Sequence, residues 1–297
     1  MRTLLICVGL LLLAPALGGQ KMSNPSFDAL AAVYEQRIPS TPVSSVNSPA
    51  SRPLISAHRG GRFIAGYPEN ALETFQFITK QAPVIVECDV NMSVDSILFL
   101  LHDNTLNRTT TGYGPAQETL WSEIHDLFLK DDYGTVTRYH PPSLEEVLHW
   151  AGRGYQVTLD VKRGVPVEMV VKTVRNMGAI DYASVITYNY EDALRAYLED
   201  PRIKISVSIR NEEELKRYID GPFNLKNLMA FTGLTERSAS FYRQLKDAGI
   251  TVIIGTIGNL DQSATAKGDR VYHQLYKAGA DILATDRPLA VHKAFLD

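Results

Sequence analysis

The stretch that decides the fold is residues 84–90, which read Val-Ile-Val-Glu-Cys-Asp-Val. A short aliphatic and β-branched run of this kind predicts a β-strand. Residues two apart on a strand point to the same side, so Glu87 and Asp89 are expected to face one way and Cys88 the other. The two carboxylates can then face the inside of a barrel while the thiol packs against helices.

Similar runs recur along the chain and alternate with amphipathic stretches, as in parallel strands joined by crossover helices. The predicted strands are 54–57, 84–90, 156–161, 183–187, 203–209, 227–231, 251–256 and 281–284. The predicted helices include 70–80, 167–177, 191–199, 212–219 and 238–248. Asn70 and Glu73 have the spacing of a capping box at the start of the first helix. We therefore predict an α/β fold, a (β/α)8 or TIM barrel.

Two segments interrupt this alternation. Residues 97–101 follow the second strand too closely for a helical crossover, and they predict an antiparallel hairpin. Residues 105–139 show no clear period and predict an inserted loop or small subdomain on the same face. The barrel domain is expected to span 52–297, with the insertion at about 103–141.

The N-terminal segment has the layout of a secretory signal peptide. Arg2 precedes an apolar run at 4–13, and small residues follow at 14–19. A spanning helix needs roughly 20 apolar residues, so no stable membrane insertion is expected. Residues 1–19 are predicted to be the signal peptide and 20–51 an N-terminal helix with a Pro/Ser-rich linker. The expected location is secreted or periplasmic.

Charge and cysteine content narrow the class of partner. Without Arg2 the chain has 29 basic and 33 acidic residues, a balance that argues against binding nucleic acid. Cys88 is the one cysteine beyond the predicted signal peptide, so no internal disulfide is expected. A small-molecule substrate is the expected partner, and the sequence leaves the oligomeric state open.

Ionisable residues are concentrated where the predicted strands end, which is where parallel barrels carry their functional groups. They are His58, Arg59, Glu87, Asp89, His102, Asp103, Asp160 and Lys162. Converging carboxylates are costly to bury without a cation, so three of them beside a lysine predict a hard divalent ion, Mg²⁺ or Ca²⁺. Taken singly, each histidine is also compatible with a purely structural role, and each charged pair is also compatible with an ordinary ion pair.

Several short motifs follow one another in a fixed order along the chain. They are His58-Arg59-Gly60, Pro68-Glu69-Asn70, Glu87-x-Asp89, His102-Asp103, Asp160-x-Lys162 and Thr285-Asp286-Arg287-Pro288. Together they resemble the signature of the glycerophosphodiester phosphodiesterase family. The resemblance extends from residue 54 to residue 288. It implies a barrel enzyme that hydrolyses glycerophosphodiesters to glycerol 3-phosphate and an alcohol.

The same resemblance implies roles for individual residues. Glu87, Asp89 and Asp160 would bind the cation, and Glu69 would be an additional site carboxylate or ligand. His58 and His102 would act as acid and base, while Arg59 and Lys162 would hold the substrate phosphate. Arg210 and Phe231, at later strand ends, are further candidates for the substrate pocket.

Three features depart from the family pattern. Asp160 stands where the family more often has glutamate, and Ser93-Val94-Asp95-Ser96 replaces the usual Asp-Gly turn. Ile254-Gly255-Thr256 lacks the tryptophan expected before the threonine, which predicts a reshaped alcohol pocket.

Two alternative functions stay open. One is a barrel enzyme that cleaves intact phospholipids, of the sphingomyelinase D or phosphoinositide phospholipase C type. For lipid contact the insertion offers Tyr113, Trp121, Phe128 and Leu129. The other is a secreted binding protein that has kept the barrel and lost catalysis.

Overall fold

The computed structural model describes residues 52–296. The predicted signal peptide, N-terminal helix and linker lie outside these residues. Among the residues described, no helix is long and apolar enough to cross a membrane.

Eight parallel strands form a closed barrel, and a ninth strand lies antiparallel at its rim. The strands are β1 (Leu54–Ala57), β2 (Ile85–Met92), β3 (Leu98–Leu100), β4 (Gln156–Val161), β5 (Ala183–Thr187), β6 (Lys204–Ser208), β7 (Leu228–Phe231), β8 (Thr251–Gly255) and β9 (Ile282–Thr285). Their order is β1-β9-β8-β7-β6-β5-β4-β2, and pairing of β1 with β2 closes the barrel. The predicted fold and all eight predicted barrel strands are confirmed, with end points that differ by two residues at most.

Helices connect the strands on the outside of the barrel. They are α1 (Leu72–Gln81), α2 (Trp121–His125), α3 (Leu144–Ala151), α4 (Val167–Asn176), α5 (Tyr190–Glu199), α6 (Glu212–Ile219), α7 (Ala239–Asp247), α8 (Asn259–Lys267), α9 (Arg270–Ala278) and α10 (Pro288–Ala294). A capping box begins α3, where the Ser143 side chain accepts from the Glu146 backbone N–H and the Glu146 carboxylate accepts from Ser143.

The capping box predicted at Asn70 is wrong. Helix α1 begins after Ala71, which makes no side-chain cap, and Asn70 has a left-handed backbone with φ of 59°. The Asn70 side chain instead hydrogen-bonds Asp89 on β2, so a tertiary contact overrides the local spacing.

The predicted alternation along β2 is confirmed. Val86, Cys88 and Val90 are fully buried in the core between the sheet and the helices. Ile85 and Glu87 instead line a cavity inside the barrel. This alternation places acidic side chains at the centre of the molecule without breaking the outer core.

The hairpin and the segment that follows it cover one side of the barrel mouth. Ser93 closes the hairpin turn by bonding Ile97 through its backbone and side chain, while Ser96 takes a left-handed φ of 64° in place of the usual glycine. Beyond β3, a small separate core forms from Phe99, Leu101, Leu106, Ala116 and Ile124. The insertion therefore has packing of its own.

Candidate functional site

The turn that follows β1 starts the site. His58 to Gly60 form a single 3₁₀ turn, in which Arg59 has a left-handed φ of 54°. This conformation lets the Arg59 backbone N–H donate to Glu87 Oε2 over 2.8 Å. Gly60 has a φ of 86°, and a Cβ there would lie 2.7 Å from the Phe75 ring, so glycine is required. Strand end and helix α1 are thus held tightly together.

Three buried carboxylates meet at the ends of β2 and β4. One oxygen each from Glu87, Asp89 and Asp160 lies within 4.8 Å of the other two. The register places Asp89 beside Asp160, and Asp160 Oδ1 is buried without a hydrogen-bond partner in the part of the chain that the structure describes. Burial and the neighbouring charge of Asp89 raise the pKa of Glu87 to about 8. Oxygen donors of this number and charge, with one left unsatisfied, fit a hard divalent cation.

Neutral and cationic groups hold these carboxylates in place. Asn70 and Asp89 pair reciprocally, with Asn70 Nδ2 donating to Oδ2 over 2.7 Å and the Asp89 N–H donating to Asn70 Oδ1 over 2.9 Å. Lys162 Nζ lies 2.9 Å from both Asp89 Oδ1 and Asp160 Oδ2. Burial opposes ionisation of Asp89, but Lys162 and Arg59 outweigh it and lower its pKa.

Glu69 lies outside the carboxylate cluster, and its oxygens are taken by arginines instead of being free to bind a cation. Arg59 Nη1 donates to it over 2.9 Å, and Arg108 donates to both oxygens over 2.8 and 2.9 Å. Burial raises its pKa less than these guanidinium groups lower it. In the structure Glu69 therefore orients Arg59 and Arg108 and is not grouped with the three carboxylates, and its suggested role as a metal ligand stays a prediction.

His58 is held by a carboxylate from the far end of the chain. Its Nδ1 lies 2.7 Å from Asp286 Oδ1, just beyond β9. Because a carboxylate only accepts, Nδ1 carries the proton and Nε2 is left to exchange one. Burial alone would lower the pKa of His58, but the Asp286 hydrogen bond and the charge of Glu87 outweigh it and raise the pKa.

A buried network stands behind Asp286. The Asp261 carboxylate accepts from Tyr272 Oη, Thr285 Oγ1 and the Asp286 backbone N–H, all at about 2.9 Å. These groups come from α8, α9 and the end of β9. Asp261 thereby fixes the backbone that carries the partner of His58.

His102 has the same kind of support from the insertion side. Its Nδ1 lies 2.8 Å from Oδ1 of the adjacent Asp103. Arg108 donates to both Asp103 oxygens, and this hydrogen bond is the main reason that the pKa of Asp103 is lowered. Since Arg108 also binds Glu69, the His102 loop is tied to the turn after β1.

Two cavities open beside the carboxylates. The inner one, of about 150 Å³, lies inside the barrel mouth and is lined by His58, Glu87 and Asp160 among largely apolar side chains. The outer one, of about 1010 Å³, is a groove bordered by His102 and Lys162. Tyr188 borders both cavities. A phosphate near the carboxylates can therefore have its two substituents in different surroundings.

Comparisons with known proteins agree with this arrangement. Residues 58–239 match the model of the glycerophosphoryl diester phosphodiesterase family. This match covers more than half of the chain and includes every residue of the carboxylate cluster. The chain belongs to this family.

The chain is also similar to individual proteins and to solved structures. Protein YqiK of Bacillus subtilis is 26% identical over 167 residues, and a glycerophosphodiester phosphodiesterase of Caldanaerobacter subterraneus is 25% identical over 161 residues. Each match covers 52% of this chain and 65% of the relative, so the chain spans just under two thirds of their length. A solved glycerophosphoryl diester phosphodiesterase of Parabacteroides distasonis has 31% identity and a TM-score of 0.77, covering 84% of this chain and 88% of its own.

Of the two residues suggested at later strand ends, one lines the inner cavity and the other does not. Phe231 lines the inner cavity. Arg210 does not join it, because its exposed side chain pairs with Glu214 on α6. At Gly255, where the family tryptophan is missing, a Cβ would lie 2.6 Å from Leu234 and 2.9 Å from the Phe231 ring. Those two side chains leave no room for another at this position.

Four residues of the site had no role assigned from the sequence, although Asp286 lies in the Thr285-Asp286-Arg287-Pro288 motif. They are Asp286, Arg108, Tyr188 and Asp261. Asp286 and Tyr188 follow barrel strands directly, so the rule that strand ends carry function would have found both. Arg108 lies in a loop and Asp261 in a helix, where no local pattern marks them.

Proposed function

We propose that this protein hydrolyses glycerophosphodiesters to glycerol 3-phosphate and an alcohol, with a divalent cation bound by Glu87, Asp89 and Asp160. One observation supports this most strongly. Two imidazoles, each with Nδ1 bonded to a carboxylate, lie at the same barrel mouth as a buried cluster of three carboxylates. A protein that only bound its ligand would have no use for two such proton-transfer groups.

In this proposal the two histidines move protons at their Nε2 atoms. One accepts a proton from the nucleophile, either water or the substrate's own neighbouring hydroxyl, and the other donates one to the departing alcohol oxygen. Family resemblance favours the hydroxyl and a cyclic phosphate intermediate, which a water molecule would then open to give glycerol 3-phosphate. Arg59 and Lys162 contribute positive charge beside the phosphate. The cation, when bound, would supply further stabilisation of negative charge on the phosphoryl oxygens.

A panel of glycerophosphodiesters assayed with and without chelator tests the reaction. We expect alcohol release from soluble diesters such as glycerophosphocholine, loss of activity with chelator, and recovery on adding Mg²⁺ or Ca²⁺. Turnover of micellar phospholipid alone would favour a lipase instead. Binding of the diesters without release of alcohol, unchanged by His58→Ala, would favour a binding protein.

The pH dependence of stability tests the cation independently of turnover. The pKa of Glu87 is raised to about 8 from the ordinary glutamate value of 4.5. Ionisation of this group therefore lowers the free energy of unfolding as the pH rises from 4.5 through 8. A bound cation offsets that cost. We therefore expect Mg²⁺ or Ca²⁺ to raise the melting temperature more at pH 8 than at pH 5.

Side-chain positions in the insertion favour a soluble substrate over a membrane lipid. Leu129 is buried and Trp121 packs against Phe99, so two of the four side chains suggested for lipid contact are engaged inside. Tyr113 and Phe128 are left exposed.

Export through the predicted signal peptide at 1–19 is part of the proposal, and N-terminal sequencing of secreted protein tests it.

A further inference from the structure

Tyr188 contacts the third carboxylate of the cluster. It follows β5 directly, and its hydroxyl donates to Asp160 Oδ2 over 2.8 Å. Lys162 Nζ donates to the same oxygen over 2.9 Å. The other oxygen, Oδ1, is buried and has no hydrogen-bond partner among residues 52–296. Both protein donors thus use one oxygen and leave its twin unused.

This asymmetry matters because an aspartate side chain rotates easily about its last torsion. Two donors on Oδ2 fix that rotation, so Oδ1 is the Asp160 oxygen left to bind a cation held together with Glu87 and Asp89. A tyrosine hydroxyl ordinarily keeps its proton near neutral pH, so Tyr188 acts as the donor in this hydrogen bond.

The length of the third ligand gives a reason for such a clamp. The Asp160 side chain is one methylene shorter than that of Glu87 in the same cluster, so its carboxylate reaches less far from its strand. A shorter side chain samples fewer positions, and its oxygen must be aimed correctly from the strand. A donor from the neighbouring strand end supplies that aim.

We infer that Tyr188 is a positioning residue for the cation, which holds Asp160 Oδ2 so that Oδ1 is presented as the ligand atom. The inference rests on the proposed cation site. Partners that orient a metal ligand are typically worth 10- to 100-fold in metal affinity. Tyr188 also borders both cavities, so the cation site is coupled to the wall between the two substrate regions.

Titration calorimetry of the full chain with Mg²⁺ alone and with Ca²⁺ alone tests the inference. Tyr188→Phe removes the hydroxyl and keeps the ring, and we expect it to weaken Kd for the cation about 10- to 100-fold. Its lost turnover should return at high cation concentration, which loss of a merely structural contact would not produce.

Tyr133→Phe is the matched control. Tyr133 is exposed to 64% and Tyr188 to 65%, and the Tyr133 hydroxyl donates to the Phe63 carbonyl over 3.0 Å, away from the carboxylates. We expect its cation affinity to equal that of the wild type. An unchanged Kd in Tyr188→Phe, or an equal loss in both variants, overturns the inference while the wild-type enzyme still binds and turns over. Failure of the proposed function appears instead in the wild type, as no cation binding or no hydrolysis.

Discussion

His58 and His102 reach the same local geometry from two different regions of the molecule. Each has Nδ1 on a carboxylate, at 2.7 and 2.8 Å. The partner of His58 is 228 residues away in the chain, whereas that of His102 is the next residue. The His58 side chain is 17% exposed and that of His102 is 35% exposed. One imidazole is therefore oriented by closure of the barrel and the other by an insertion.

The orientation of each histidine therefore depends on a different set of contacts. Asp286 follows β9, which pairs with β1, so any loosening of the pairing between these two barrel strands moves His58 relative to its partner. Asp103 is held by Arg108, which also binds Glu69 on the loop after β1. The insertion is thus attached by ion pairs, and these are weaker when exposed and screened by salt.

Removing either imidazole tests whether the two regions are equal partners in catalysis. We expect His58→Ala and His102→Ala each to lower kcat by about 10²–10⁴-fold, because each removes one proton-transfer group. Far-ultraviolet circular dichroism should show an unchanged fold. A variant that keeps wild-type kcat would show that its histidine has a structural role only.

Neutralising the supporting carboxylates separates the regions further. We expect Asp286→Asn and Asp103→Asn to lower kcat about 10- to 100-fold through loss of ring orientation. Asp286 raises the pKa of His58, so Asp286→Asn should lower that pKa and move one limb of the pH–rate profile to lower pH. In the wild type, high salt should weaken the more exposed ion pair between Arg108 and Asp103 more than the contact between His58 and Asp286. Identical pH profiles in Asp286→Asn and the wild type would contradict the contact.

The hydrogen-bond network behind Asp286 predicts that a change at Asp261, on the barrel side of the site, lowers the stability of the protein. Asp261→Asn replaces one acceptor oxygen with a donor facing Tyr272 or Thr285, and we expect the free energy of unfolding to fall by about 1–2 kcal/mol. Urea denaturation measures this. The matched change Asp103→Asn, at a quarter-exposed carboxylate, should cost less, and the reverse order would refute the comparison.

The smallest effect is expected on the surface of the insertion. Tyr113 is 78% exposed, so Tyr113→Ser should change the free energy of unfolding by no more than about 0.5 kcal/mol. Turnover of glycerophosphocholine should also stay at the wild-type rate. A selective loss of activity on micelles would show that the insertion meets lipid.

Residues whose positions follow from backbone periodicity could be predicted from the sequence. Glu87, Asp89 and Asp160 lie on strands, where the two-residue repeat and the parallel order of strands bring them together. Asn70 could not be placed, because the Asn-x-x-Glu spacing fits a helix cap equally well and only contact with Asp89 decides. Asp261 gave no signal, since its partners come from another helix and a later strand.

The insertion was harder to predict for a related reason. Its backbone pairs through isolated bridges, such as those joining Thr110 to Leu129 and Lys130 to Val136, so no repeating pattern develops in its sequence. The roles of Arg59 and Lys162 toward phosphate stay predictions. In the structure both lie among the carboxylates, where their charges are already partly used.

Cys88 lies between two residues of the carboxylate cluster, but its thiol points into the closed layer between sheet and helices. Burial and the surrounding negative charges raise its pKa well above the ordinary range, so it stays an unreactive thiol in the native protein. Alkylating reagents can reach it only when the barrel opens. The rate at which Cys88 becomes labelled therefore reports how often the whole catalytic domain unfolds, and a cation bound on the other side of β2 should slow that labelling.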